Sequence, residues 1–340
     1  MSVRCAALLL WLAASAAGAD GYVGSQACQG CHAEIWQRQA GSAHAASLWA
    51  AGEHPLAGAV AKLGNVERAP GFVARFYRAQ GGLRVRMLGG GESSDMAADW
   101  AFGAGGQGVT FVSHLEGDYY LEHGLTFFAS VGRLGPTPGH IAAPGSLGEA
   151  VGLTYRIEGA GGIRGCFECH STGPAAFGAD GRARLTEAGV RCEACHGPGA
   201  EHLRGGAPEF SGKVSPAAIS ERCGACHRRP DPSQAADWGD PWNVRHAPVY
   251  LAQSACFEGG AGSLSCVSCH SPHDPLVKTG GGSYRAVCLQ CHPGAHEGDG
   301  ERGDCVACHM PGVRPQPNLQ FTNHWIGVYA EGSPLQPMGR

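Results

Sequence analysis

The chain has 340 residues and a formal net charge of −4, with 25 Lys and Arg against 29 Asp and Glu. That length fits two modest domains, and the lack of a basic run argues against a nucleic-acid partner. Glycine at 55 residues and cysteine at 16 point away from an ordinary side-chain core and toward tight turns and sulfur chemistry.

Residues 1–19 read as a secretory signal peptide. Met1-Ser2-Val3-Arg4 precedes an apolar run through Leu8, Leu9, Leu10, Trp11 and Leu12, and Ala17-Gly18-Ala19 fits a cleavage site. The run is shorter than the ~20 residues a membrane span needs. No other stretch is apolar enough to span, so no membrane span is expected once the signal is removed. Cys5 precedes the run, which excludes a lipoprotein cysteine.

Residues 20–65 carry Cys28-x-x-Cys31-His32. Ala33 to Arg38 is expected to start a helix that ends near Gly41, with His44 just beyond. His54 stands in a Gly-Glu-His-Pro sequence and reads as a solvated loop residue. Residues 66–165 have no such motif and read as β-rich. Residues 72–78 and 83–88 have the form of a hairpin around Gly81-Gly82, and residues 108–113 and 119–122 form a second. His114 and His123 lie on that second unit, and His140 closes a Pro-Thr-Pro-Gly turn.

Residues 166–340 hold six more motifs: Cys166/Cys169/His170, Cys192/Cys195/His196, Cys223/Cys226/His227, Cys266/Cys269/His270, Cys288/Cys291/His292 and Cys305/Cys308/His309. A helical stub over residues 215–222 is expected to lead into one of them. Gly197-Pro198-Gly199 breaks the helix after another. Motif spacing is irregular, which excludes a solenoid.

Cys-x-x-Cys-His is the attachment signature of c-type haem. Two thiols add across the vinyl groups of one porphyrin, and the adjacent histidine ligates the iron from the proximal side. A zinc array needs paired knuckles or downstream His pairs, and gives no reason for a histidine fixed at the next position. Seven copies imply seven covalently attached haem c groups. From Cys166 to His309 there are 24 residues per motif, too few for a side-chain core when compact domains below ~40 residues usually need extra cross-links or metals. The expected fold is therefore short helices and irregular loops around stacked haems, with a small β-rich segment in the N-terminal half. Export agrees, since haem is attached to such chains outside the cytoplasm.

The motifs use 14 cysteines and the signal holds one, leaving Cys256, which reads as a buried free thiol. Of 17 histidines, seven are proximal and ten remain. The supply suffices for six-coordinate iron throughout. The expected distal ligands are His44, His123, His140, His202, His246, His273 and His324, with His296 in reserve. His273 follows its own motif too closely to serve it and must reach a neighbouring haem.

Tyr22-Val23-Gly24-Ser25 before the first motif, Gly189 to Gly199 around the third, and Cys305 to Pro311 around the last resemble multihaem cytochromes c. The group is the superfamily of hydroxylamine oxidoreductase, its tetrahaem electron acceptor and pentahaem nitrite reductase. The resemblance is dense around the motifs. It implies closely stacked haem pairs, mostly bis-His, on a largely helical and irregular scaffold. Two features depart from it: no Cys-x-x-Cys-Lys motif is present, and small electron carriers of the group lack a β-rich segment.

The expected function is electron transfer between redox partners in the periplasm or outside the cell. Partners would be other cytochromes or membrane quinol-linked complexes, with assembly into an outer-membrane complex as a further expectation. The alternative is an oxidoreductase acting on a small nitrogen or sulfur compound at one five-coordinate haem. A bis-His site leaves no open position, whereas an open distal position suits catalysis.

Overall fold

A computed structural model describes residues 21–231, 237–260, 262–276, 282–294 and 304–339. The signal at 1–19 and the reserve ligand His296 lie outside the described residues.

A 3-10 turn over Ser25–Cys28 leads through the first motif into α1 (Ala33–Ala40), which Gly41 ends. Then come β1 (Leu48–Ala50), α2 (Ala57–Ala61), β2 (Asn65–Ala69), β3 (Phe72–Ala79), β4 (Gly82–Gly89), β5 (Glu92–Ala98), β6 (Trp100–Phe102), β7 (Val109–His114), β8 (Tyr119–Phe128), β9 (Arg133–Pro136), α3 (Leu147–Val151) and β10 (Gly152–Arg156). Strands β2 to β5 form a four-stranded antiparallel meander. The second sheet runs β1-β6-β7-β8-β10, with β9 also on β8. The β3–β4 hairpin turns on Gln80 and Gly81, both at positive φ, where glycine carries no steric penalty.

Alternation explains how these strands pack. Phe72, Ala74 and Phe76 of β3 are buried, as are Leu83, Val85 and Met87 of β4. They join Val109, Phe111, Leu121, Leu125 and Phe127 of the second sheet in one apolar cluster. Each fully buried Val, Leu, Met or Phe among them stabilises the unit by ~1.5–3 kcal/mol. Neighbouring residues of the second sheet point the other way: Val112 and Tyr120 join Leu48, Ile157, Ile163 and Phe167. That is the period-two pleat of a sheet buried on both faces. The second cluster seats α4 (Ile163–His170), whose last turn is the second motif.

From here the elements shrink. Strand pairs β11 (Ser171–Thr172) with β14 (Glu187–Ala188) and β12 (Ala176–Phe177) with β13 (Ala183–Arg184) are two residues long. The helices are α5 (Cys192–His196), α6 (Ala200–Leu203), α7 (Pro216–His227), α8 (Ala247–Leu251), α9 (Ala255–Gly259), α10 (Gly282–Leu289) and α11 (Cys305–His309). Ser215 caps α7, its side chain accepting from the Ala218 amide. The hairpin β15 (Gly312–Gln316) and β16 (Leu319–Thr322) follows. The apolar cluster here is small, built on Val244, Tyr250, Val313 and Trp325. Among the described residues no helix is long and apolar enough to cross a membrane.

Candidate haem centres

Each motif is one tight helical turn. The backbone N–H of His32 donates to Cys28 O at 2.9 Å, that of His270 to Cys266 O at 3.0 Å, and that of His292 to Cys288 O at 3.0 Å. First cysteine, second cysteine and histidine thus stand at i, i+3 and i+4, on one face of the turn. No disulfide joins the fifteen cysteines of the described residues, the fourteen of the motifs and Cys256.

The histidines pair in a pattern. His32 faces His202 with ring centroids 6.3 Å apart and planes at 22°. His196 faces His273 at 6.0 Å and 11°. His227 faces His44 at 6.0 Å and 67°. His270 faces His324 at 6.3 Å and 49°. Every pair joins one motif histidine to one from outside the motifs. An atom bonded to two imidazole nitrogens at about 2.0 Å each would set the centroids roughly 6.3 Å apart. The residues fit an axially ligated haem iron.

Hydrogen bonds orient these rings. A carbonyl can only accept, so its partner nitrogen carries the proton. His170, His196 and His309 donate from Nδ1 to Ser47 O at 3.1 Å, Glu209 O at 3.0 Å and Gly327 O at 2.9 Å. His202 and His324 donate from Nδ1 to Gly206 O at 2.9 Å and Thr322 O at 3.0 Å. In a neutral ring this leaves Nε2 with its lone pair for metal, the second-sphere arrangement metal-bound histidines adopt. Burial keeps rings neutral: it lowers His44, His227 and His273, and pushes His324 down to about 4.

The β-unit histidines use the other nitrogen. His140 donates from Nε2 to Glu122 Oε2 at 3.0 Å. Ser113 Oγ donates its single proton to Ala97 O, so at 2.8 Å it accepts from His123 Nε2. The Nδ1 atoms of His123 and His140 are buried without a hydrogen-bond partner, and neither ring faces a motif histidine. His54 reads as solvated from sequence but is 3% exposed. Its Nε2 donates to Gly103 O at 3.1 Å and its Nδ1 accepts from the Leu56 amide, so the turn folds back under β6. His246 ends a 3-10 turn over Pro241–Arg245 and has Nδ1 3.3 Å from Arg228 Nη1, with burial pushing it down to about 4.

Several positioning residues escape sequence reading. Glu193, inside the third motif and 3% exposed, accepts from the amides of Val23 at 2.9 Å, Gly24 at 2.7 Å and Gly199 at 2.6 Å. Glu187 accepts from the Ser25 amide and hydroxyl. These carboxylates clamp the N-terminal segment onto the third motif. Ser254 Oγ donates to His324 O at 3.1 Å and accepts from the Ile326 amide at 2.8 Å. Buried Asn323 donates to Pro334 O and Leu335 O and accepts from the Trp325 amide. Only the N-terminal motif signature and the carboxylate within a Cys-x-x-Cys hinted at any of this.

Motifs touch one another. Cysteines of different motifs are near neighbours: Cys28 of Cys192, Cys169 of Cys226, Cys223 of Cys266 and Cys288 of Cys305. Helix α5 packs on the Ser25–Cys28 turn, α7 on the Cys266–Ser268 turn, and α10 on α11.

A family model described as cytochrome c554 and c-prime matches residues 153–197, which hold the second and third motifs. The chain is 26% identical over 174 residues to the multiheme cytochrome MtrA of Shewanella baltica (strain OS185), covering 44% of this chain and 46% of that one. It thus spans under half the length of that curated relative. Its fold is similar to that of the outer cell wall cytochrome OcwA, with a TM-score of 0.56 at 15% identity, over 90% of this chain and 79% of the other. Around its second and third motifs, and in its fold, the chain is similar to multihaem c-type cytochromes.

Proposed function

We propose that the chain is an exported seven-haem cytochrome that passes electrons between redox partners through closely spaced, mostly bis-His haems. The four facing histidine pairs carry this reading. Cys28, Cys31, Cys166, Cys169, Cys192, Cys195, Cys223, Cys226, Cys266, Cys269, Cys288, Cys291, Cys305 and Cys308 would anchor the haems. His32, His170, His196, His227, His270, His292 and His309 would ligate from the proximal side, and His44, His202, His273 and His324 from the distal side. Bound haem supplies a one-electron couple whose potential depends on axial ligand, burial and nearby charge. The chain's own residues anchor, orient and shield.

The partners proposed are cytochromes or quinol-linked complexes with basic patches, since the chain is acidic and haem propionates add negative charge. A haem count by pyridine haemochrome with whole-protein mass tests the reading. Seven haems and a wholly low-spin ferric spectrum support it. A colourless folded protein, or one holding zinc, overturns it.

A second reading, an oxidoreductase working on a small nitrogen or sulfur compound, has one observation on its side. Glu122 Oε2 accepts from both His140 Nε2 and Tyr155 OH, each at 3.0 Å, and Glu122 and Tyr155 are electrostatic neighbours of the Cys166 thiol. Groups able to move protons thus lie beside the second motif. A high-spin fraction that shifts with cyanide or nitrite would favour this reading.

A further inference from the structure

Five rings at the candidate haem centres rest on main-chain oxygens, at 2.9–3.1 Å. His270 of the fifth motif differs, because its Nδ1 lies 3.3 Å from the hydroxyl of Tyr284. We propose that Tyr284 is a positioning residue for His270 and that its hydroxyl sets the reduction potential of the haem held at Cys266–His270, a role that rests on the seven-haem reading above.

Two contacts place the phenol on the imidazole. Besides the hydrogen bond, the Tyr284 ring meets that of His270 edge to face, with centroids 5.7 Å apart and planes at 71°. Tyr284 is half-buried in the first turn of α10 and stands one turn before Cys288, at i and i+4, so both lie on one side of the helix. It therefore belongs to the helix of the sixth motif while touching the ring of the fifth. The main chain of the fifth motif is fixed separately. The His270 amide donates to Cys266 O at 3.0 Å, and Ser265 and Ser268 cap the turn reciprocally. On the other side, His324 faces His270 at 6.3 Å and 49°, with its own Nδ1 on Thr322 O. One ring of this pair is thus oriented by the backbone and the other by a side chain.

The difference has a chemical sign. With Nε2 on iron, a neutral imidazole carries its proton on Nδ1, so Nδ1 donates and the phenol oxygen accepts. A stronger acceptor draws that proton outward, makes the ring a better electron donor and favours ferric over ferrous iron. A phenol is neutral below about pH 10 and is a weaker acceptor than an amide carbonyl. The 3.3 Å separation also exceeds the ~2.9–3.0 Å usual for N–H···O. Tyr284 therefore pulls on Nδ1 less than a carbonyl would, and its whole pull comes from one hydroxyl that a single substitution removes. Nδ1 keeps its proton in both oxidation states, so the change at this centre is one electron at the iron.

The test is a potentiometric titration of the full holoprotein, followed optically and by electron paramagnetic resonance, in wild type, Tyr284→Phe and Tyr284→Leu. Phenylalanine keeps the edge-to-face contact and removes the hydroxyl. Tyr284→Phe is expected to retain all its haem, to raise one midpoint potential and to shift one low-spin signal. That signal should be the one which His324→Ala converts to high spin. Tyr284→Leu, which also loses the ring contact, should raise the same midpoint at least as far. A Tyr284→Phe protein identical to wild type, with a shift in Tyr284→Leu alone, would assign Tyr284 to packing and overturn the proposal. A lowered midpoint, a shift spread over several haems, or a shift at a haem that His324→Ala leaves untouched overturns it as well. A wild-type haem count below seven would instead overturn the reading on which this role rests.

Discussion

His32 and His202 hold their rings 6.3 Å apart with planes at 22°, although one belongs to the first motif and the other follows the third. His202 reaches that place on α6, a four-residue helix begun just after Gly197-Pro198-Gly199. The break in the chain that sequence reading treats as a stop is what turns the ligand toward another motif.

Removing that ring should open one iron. His202→Ala is expected to keep its full haem content while one haem becomes high-spin and binds cyanide. Optical titration of the ferric protein checks this. An unchanged low-spin spectrum would show that His202 is not the ligand.

Glu193 should matter more than its surface charge suggests. Hydrogen bonds to a charged group contribute ~1.5–3 kcal/mol each, and Glu193 accepts three from backbone amides. Glu193→Ala is expected to destabilise the chain by about 2–5 kcal/mol and to loosen residues 22–32. Denaturant midpoints measure the first effect. Hydrogen exchange at Val23 and Gly24 measures the second, and unchanged protection there would contradict the clamp.

His123 gives the β unit an acid limit. Burial, then its neighbour His140, pushes it down to about 3, while an unfolded histidine titrates near 6.5. Between those values the unfolded chain binds the extra proton, so stability falls as pH drops. The slope should reach at most ~1.4 kcal/mol per pH unit and flatten below about pH 3. His123→Gln is expected to be less stable at pH 7 yet less sensitive to acid between pH 6.5 and 5, as read by urea midpoints at both. A wild type with no slope there would refute this.

The two kinds of core should be separable. Phe111 is fully buried between the sheets, and Phe111→Ala should cost ~3–5 kcal/mol. Haem content should stay unchanged, because the motifs lie elsewhere. Calorimetry with a haemochrome assay checks both halves, and haem loss in this variant would show that the β unit and the haem region fold as one.

Local features were the legible part of this chain. The helix after His32, both hairpins and the capped helix into the fourth motif follow from residue order, periodicity and cap chemistry. His44, His202, His273 and His324 were legible as candidates by counting. Which of them meets which motif was not, because facing rings come from distant segments and spacing carries no such information. His54 was misread because a Gly-Glu-His-Pro sequence looks like an exposed turn, yet Gly103 and Leu56 satisfy both ring nitrogens and bury it. For His123 and His140 a tally of irons could not show that Ser113 and Glu122 each engage one ring nitrogen.

The rings that would flank the irons are steadied largely by main-chain oxygens, at Ser47, Gly206, Glu209, Thr322 and Gly327. A carbonyl is the same whatever residue bears it. Mutation can therefore rewrite much of the exterior while leaving each tautomer and ring angle intact. Such a chain is free to drift far in evolution and still hold its rings in place, provided its cysteines and histidines stay where they are.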